Sequence, residues 1–340
     1  MVAVLTRIIV AIVTLSYMIS GSYFSDYTAD YFKRLASIDV YENSTVTAIG
    51  AKNVHDFIED HFSSKLPEGK KEKKAVLIGF DGVRADTFRD LDTHEKSAIN
   101  SILGEGGHAY ISYAGGINFP YYNIQATDSA PGWTSIISGE LYYKTGVLWN
   151  DYEKNDKYPT LMKSLIDDKL ADRTSFYSAW GSYIDTTLGS ENASNKAAGY
   201  NANYVKAAEY VTEDMSKGAG IVEDVAVTEL TVKDLAEADC SDFIFALYES
   251  TDELGHATSY HPDNEAYMNA FAFEDELAQQ IVDAIKARPT YDEEDWMIIM
   301  TTDHGGFNHS HGYCMAMERY TYIVCNKEIS PFLLLNNITL

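Results

Sequence analysis

Three apolar runs of this chain each stop at or just before an aspartate: AVLIGF at Asp81, FIFALYEST at Asp252 and WMIIMTT at Asp303. A strand that is apolar at successive rather than alternate positions has no face to give to water, so it must be buried on both sides. Helical patterns separate the runs: after Pro131, around Leu161 to Leu170, and over a long stretch from about Glu265 to Ala287. The chain is therefore expected to be α/β, with a mostly parallel central sheet and helices on both faces. In such a sheet the carboxyl ends of the strands form the ligand crevice, and the three aspartates should meet there. A lone aspartate at a strand end is ordinarily a turn or cap residue. Three in one chain, two of them with histidine partners, call for another account.

Asp252 is followed by His256 in DELGH, Asp303 directly by His304, and His311 comes next in HSHG. Carboxylate oxygen and imidazole nitrogen are the donors that zinc and its neighbours accept. An i, i+4 pair puts both groups on one face of a helical turn. The adjacent pair can chelate from a strand end whose backbone turns at Gly305 and Gly306.

The segment Thr127 to Gly139, TDSAPGWTSIISG, reads as a turn into a short helix. Pro131 suits a first helical position and Gly139 a C-terminal cap, which predicts a helix over Pro131 to Ser138 with Ser129 at its N-terminus. Free backbone N–H groups and the positive end of the helix dipole favour an anionic phosphoryl group there. Asp128 or Ser129 as a simple cap is the alternative, and the aspartate and histidine clusters favour Ser129 as a nucleophile.

These residues resemble the alkaline phosphatase superfamily, and within it most closely the type I phosphodiesterases and nucleotide pyrophosphatases, from about Lys74 to Cys325. The resemblance implies an alkaline phosphatase-like fold and two divalent metal ions. One would be held by Asp81, Asp303, His304 and the Ser129 oxygen, the other by Asp252, His256 and His311, with His309 the nearest competitor for the last place and the HG dipeptide favouring His311. In the same pattern Glu249 falls near where a further cation ligand would stand, although its spacing from Asp252 suits that poorly. Zinc suits this mixed oxygen and nitrogen set best. It further implies a phosphoseryl intermediate on Ser129, with Asn150 and the backbone N–H of Ala130 binding a phosphoryl oxygen. The chain departs from most nucleotide pyrophosphatases in having Ser129 in place of threonine, and Gly132 and Trp133 in place of asparagine-histidine. Serine is usual in alkaline phosphatases, so the choice between diester and monoester stays open. Sulfatases are similar in fold and metal cage but carry arginine where this chain has Trp133. A non-catalytic binding protein of the same fold would often have lost a ligand or the nucleophile, and here each has a candidate. Arg84, in DGVRAD, is expected to pair with Asp86 or a neighbour.

Lysine and arginine total 26 against 51 aspartates and glutamates, a formal charge of -25 that argues against a nucleic-acid backbone as partner. A small-molecule phosphate ester is the expected one. Arg7 and the apolar run Ile8 to Ile19 read as an export signal over residues 1–21, since a spanning helix needs about 20 apolar residues; a signal anchor is the alternative. The expected organisation continues with a lead-in over 22–73 and a catalytic domain over 74–340, including a cap inserted at about 181–217. Tyr121, Tyr122, Tyr142 and Tyr143 form a strip suited to substrate contact. Cys240, Cys314 and Cys325 allow at most one disulfide, with Cys314 and Cys325 the nearer pair.

Overall fold

The computed structural model describes residues 44–87, 96–115, 125–211, 219–313 and 315–329. Eight strands form one sheet: β1 (Ser44–Gly50), β2 (Glu72–Phe80), β3 (His108–Tyr113), β4 (Thr174–Ser178), β5 (Ala202–Lys206), β6 (Phe243–Tyr248), β7 (Glu294–Thr301) and β8 (Tyr320–Cys325). Their spatial order is β1-β3-β8-β7-β2-β6-β4-β5. Only β8 runs against its neighbours, β3 and β7; every other adjacent pair is parallel. The three runs read from the sequence are β2, β6 and β7, which lie side by side at the centre with Val76 paired to both Ile244 and Ile298.

Because side chains alternate across a strand, these central strands feed two cores. Val76, Ile78, Phe80, Ile244, Ala246, Ile298 and Met300 face one layer. Ala75, Leu77, Phe243, Phe245, Leu247, Met297 and Ile299 face the other. We label the helices that matter here α1 (Asn53–Ser63), α2 (Ala98–Gly104), α3 (Ser129–Ser138), α4 (Leu161–Asp167), α5 (Gly189–Ala198), α6 (Ala219–Leu235), α7 (Ser250–Thr258) and α8 (Glu265–Lys286). Ile99 and Ile102 of α2, Ala226 and Val227 of α6, and Phe271, Ile281 and Ile285 of α8 cover the first face. The second is covered by Val54, Phe57 and Ile58 of α1, Trp133, Ile136 and Ile137 of α3, and Leu161 and Leu165 of α4.

Within the expected lead-in, β1 closes one edge of the sheet beside β3, and α1 buries its i, i+3, i+4 stripe against the second face. The described part of segment 181–217, read as an inserted cap, holds a π-helical turn (Tyr183–Thr187), α5 and β5, and β5 is the opposite edge of the same sheet, hydrogen-bonded to β4. Its sequence ANYVK is short, with Asn203 and Lys206 among its five residues, and does not stand out as an apolar run, as edge strands often do not. Helix α3 also begins earlier than expected, at Ser129, so Pro131 is its third residue; a missing N–H is tolerated there because the first four have no intrahelical acceptor. Gly139 ends the helix at φ 69, in the left-handed conformation expected of a glycine cap.

The signal segment, Tyr121, Tyr122, Cys314 and the apolar stretch Pro331 to Leu335 lie outside the described residues. No described helix is long and apolar enough to cross a membrane. Cys325 and Cys240 are both buried free thiols.

In the second core Phe176 of β4 stacks on Phe245 of β6 with ring centroids 4.6 Å apart, and both are fully buried. Phe176→Ala is expected to lower the unfolding free energy by about 3–5 kcal/mol, read from urea denaturation.

Candidate metal and nucleophile site

Each of the three aspartates leaves a different central strand at its carboxyl end. Asp81 directly follows β2, Asp303 stands just past β7, and Asp252 lies in the first turn of α7, which leaves β6. His256 is one turn further along α7, and His304 follows Asp303. His311 arrives on the loop that leads back to β8. Among the described residues Asp81, Asp303 and His304 offer ligand atoms within 4.8 Å of one another, as do Asp252, His304 and His311. His256 belongs with the second group, its Nε2 lying 3.0 Å from His311 Nε2 and 3.4 Å from an Asp252 oxygen.

The imidazoles are oriented by the main chain. His256 Nδ1 faces the carbonyl of His309 at 2.9 Å, His304 Nδ1 that of Gly305 at 2.8 Å, and His311 Nδ1 that of Thr127 at 2.7 Å. A carbonyl only accepts, so each Nδ1 carries a proton and each Nε2 lone pair of a neutral ring points into the cluster, the arrangement of metal-binding histidines. His309 does not share it: its own Nδ1 turns out to the His256 carbonyl at 3.2 Å, and the side chain is exposed.

Helix α3 brings Ser129 to this cluster. Its Oγ donates to Asp81 Oδ1 at 3.1 Å and lies 3.1 Å from His304 Nε2. Asp128 occupies the cap position but makes no capping bond with its side chain; instead its Oδ1 approaches His311 Nδ1 at 3.4 Å. The Ala130 N–H donates to Asn150 Oδ1 at 2.9 Å, so the two expected phosphoryl contacts are adjacent but engaged with each other. The Asn150 amide NH2 is left as the donor of that pair. Arg84 stays away from the cluster, held bidentately by Asp86 at 2.7 and 2.8 Å and donating to the Tyr260 carbonyl.

Close approach of these elements depends on glycines at two places. A Cβ on Gly132 would stand 2.9 Å from Asp303 Cβ. Tyr260 is wedged between Gly255 and Gly306, where added Cβ atoms would come within 2.4 and 2.3 Å of its ring, and its hydroxyl donates to Asp252 Oδ1 at 2.5 Å. Sequence reasoning overlooked Tyr260, as it overlooked the tie between Thr127 and the last loop. Gly312 N donates to Thr127 Oγ1 at 2.9 Å, and Thr127 Oγ1 donates to buried Glu318 at 3.0 Å. The glycines of DELGH and DHGG were the available signal, since each clears space for one ring.

Burial and mutual charge shape the titration of the cluster. Burial, then the Asp252 charge, push Asp81 up to about 8. Burial, Asp81 and Asp252 raise Asp303 well above the carboxylate range. Burial acts to raise Asp252 too, but hydrogen bonding to His256 and the charge of His311 outweigh it and hold this carboxyl low. Burial depresses His304 to about 3. For His311 burial is outweighed by Asp128 and Asp252, which carry it up to about 9. Glu249 is pushed up to about 9 by burial and the Asp81 charge. Buried Asp303 Oδ2 has no hydrogen-bond partner. An orphaned carboxylate oxygen beside inward-facing imidazole nitrogens fits divalent cations.

The model of the type I phosphodiesterase / nucleotide pyrophosphatase family matches residues 75–322. The chain belongs to this family. Among solved structures it is similar to a 2-O GAG sulfatase, with a TM-score of 0.51 and 12% identity over 76% of this chain and 66% of that one. It is also similar to phosphonoacetate hydrolase from Sinorhizobium meliloti, with a TM-score of 0.48 and 16% identity over 69% and 56%. Murine ectonucleotide pyrophosphatase / phosphodiesterase 5 gives 0.44 and 14% over 69% and 57%. The chain thus spans less than two thirds of the length of these relatives. No curated protein matches it.

The raised Asp81 makes the metal-free family member sensitive to pH in a defined direction. A carboxyl whose pKa is higher folded than unfolded withdraws stability as pH rises from about 4, its unfolded value, to about 8. With divalent ions chelated, Asp81→Asn should make any loss of urea stability between pH 5 and pH 8 shallower than in the parent.

Proposed function

We propose that this protein is a two-metal hydrolase of phosphate diesters, with Ser129 as nucleophile. The observation that carries the proposal is the Ser129 hydroxyl, at the N-terminus of α3 and 3.1 Å from both Asp81 Oδ1 and His304 Nε2. Asp81, Asp303 and His304 would hold one cation together with Ser129 Oγ, and Asp252, His256 and His311 the other, with zinc the metal these donors suit best. When bound, such a pair of cations supplies Lewis acidity to the attacking and leaving oxygens of an in-line displacement.

The chain's own groups supply the rest. Ser129 Oγ attacks phosphorus as the ester oxygen leaves with a proton, giving a phosphoseryl enzyme. Water then cleaves the phosphorus–Oγ bond and restores the hydroxyl. The dipole of α3 favours the phosphoryl charge, and Asn150 donates through Nδ2, its Oδ1 being committed to the Ala130 amide. Asp128 and the Thr127 carbonyl keep His311 oriented from behind. Export through the Ile8 to Ile19 segment and a small-molecule ester as substrate belong to the same proposal.

The test is zinc-supplemented hydrolysis of bis-p-nitrophenyl phosphate beside p-nitrophenyl phosphate. Faster diester cleavage, abolished in Ser129→Ala, is the expected result. Faster monoester cleavage would move the protein to the phosphatase side, and turnover unaffected by Ser129→Ala would remove the nucleophile. Asn150→Ala is expected to lower kcat about 100-fold, the loss of one oxyanion donor.

A further inference from the structure

We propose that Trp133 is a positioning residue for Asp81: its indole N–H holds Oδ2, so that Oδ1 alone faces the nucleophile and the cation. This inference rests on the two-metal reading above. Trp133 Nε1 donates to Asp81 Oδ2 at 2.8 Å. The other oxygen, Oδ1, accepts from Ser129 Oγ at 3.1 Å and lies 3.6 Å from His304 Nε2. Ser129 and Trp133 are four residues apart on α3 and therefore share one helix face. That face presents the two oxygens of a single carboxylate with one donor each. Rotation of the carboxylate would break both bonds, so the helix fixes the nucleophile and the ligand oxygen relative to each other.

The indole is suited to this task because its N–H only donates; it neither ionises near neutral pH nor binds a cation. Trp133 is fully buried, with its ring centroid 5.5 Å from that of Phe245. The space for it comes from β2 itself. A Cβ on Gly79, two residues before Asp81, would stand 2.5 and 2.8 Å from the indole atoms Cη2 and Cζ3. Gly79 and Trp133 therefore work as socket and plug for the orientation of Asp81. A merely structural tryptophan would need only a hydrogen-bond acceptor for its N–H. Placement on the carboxylate whose other oxygen meets the nucleophile is what assigns the positioning role.

Cobalt(II) titration of the full chain tests this, with affinity and visible d–d absorption as readouts beside thermal melting. The wild type is expected to bind two equivalents. Trp133→Phe should weaken one site about 10- to 100-fold, the usual cost of losing a partner behind a metal ligand, and should change that site's absorption intensity as Asp81 turns. Gly79→Ala should reproduce the effect by displacing the indole. Phe245→Leu, which loosens the packing but keeps the N–H, should lower the melting temperature and leave both affinities unchanged. A folded Trp133→Phe protein with wild-type affinities and spectrum overturns the proposal. If that variant does not fold, the wild type with 15N-labelled tryptophan, which has four indoles, decides. One indole N–H signal must shift as zinc is added, and four unmoved signals overturn the role. A wild-type chain that binds no cobalt refutes the two-metal reading itself, and the positioning role with it.

Discussion

Mutual repulsion among three carboxylates is the constraint around which this molecule is arranged. Parallel strands β6, β2 and β7 deliver Asp252, Asp81 and Asp303 to one end of the sheet, and two of the three are almost without access to solvent. Like charges in a poorly solvated site cannot all be ionised unless positive charge is supplied. Without cations the site must retain protons, as the raised Asp81 and Asp303 show. His311, raised by Asp128 and Asp252, supplies part of that charge, whereas burial depresses His304 and leaves it neutral; divalent ions would supply more.

The geometry around these groups is fixed by atoms that do not titrate. Backbone carbonyls orient three histidine rings, the Tyr260 hydroxyl and the Trp133 indole hold one oxygen each of Asp252 and Asp81, and the Thr127 hydroxyl ties the last loop to the turn that carries Ser129. Neutral donors and acceptors give direction without adding to the charge that must be balanced. Titratable groups join them at Asp128, behind His311, and at a pair of fully buried acids behind α7. Asp224 accepts from the amides of Glu249 and Ser250, and Glu274 from that of Thr251, so charge or shared protons sit against the positive end of that short helix.

The cluster was legible in the sequence because its members stand at the ends of apolar runs, where burial pattern and chemistry coincide. AVLIGF could be little but a central strand, and an aspartate after it had to emerge at a sheet end. Strand β4 gave no such signal. In TSFYS, Thr174 and Ser175 are fully buried, satisfied by the Met162 carbonyl and the Ser241 hydroxyl, partners that exist only once the chain is folded. For β5 and β1, edge position removes the need for an apolar run. The Trp133 contact was hidden for a related reason. A tryptophan in a nucleophile turn was visible as a departure from relatives, but its partner oxygen and the glycine that admits it lie on another element.

The interleaved order of the sheet has a consequence for how the molecule is made. Strands β2, β6 and β7 are neighbours in space but are separated by long stretches of chain that themselves fold into β3, β4, β5 and their helices. Closing such loops is slow relative to local structure, and the contacts are non-local throughout. During synthesis the Asp81 strand emerges early and must wait for β7 before its second neighbour exists, and for His311 before the last imidazole is present. On the two-metal reading proposed above, a cation would find its ligands together only late, and the central sheet would have to assemble before it.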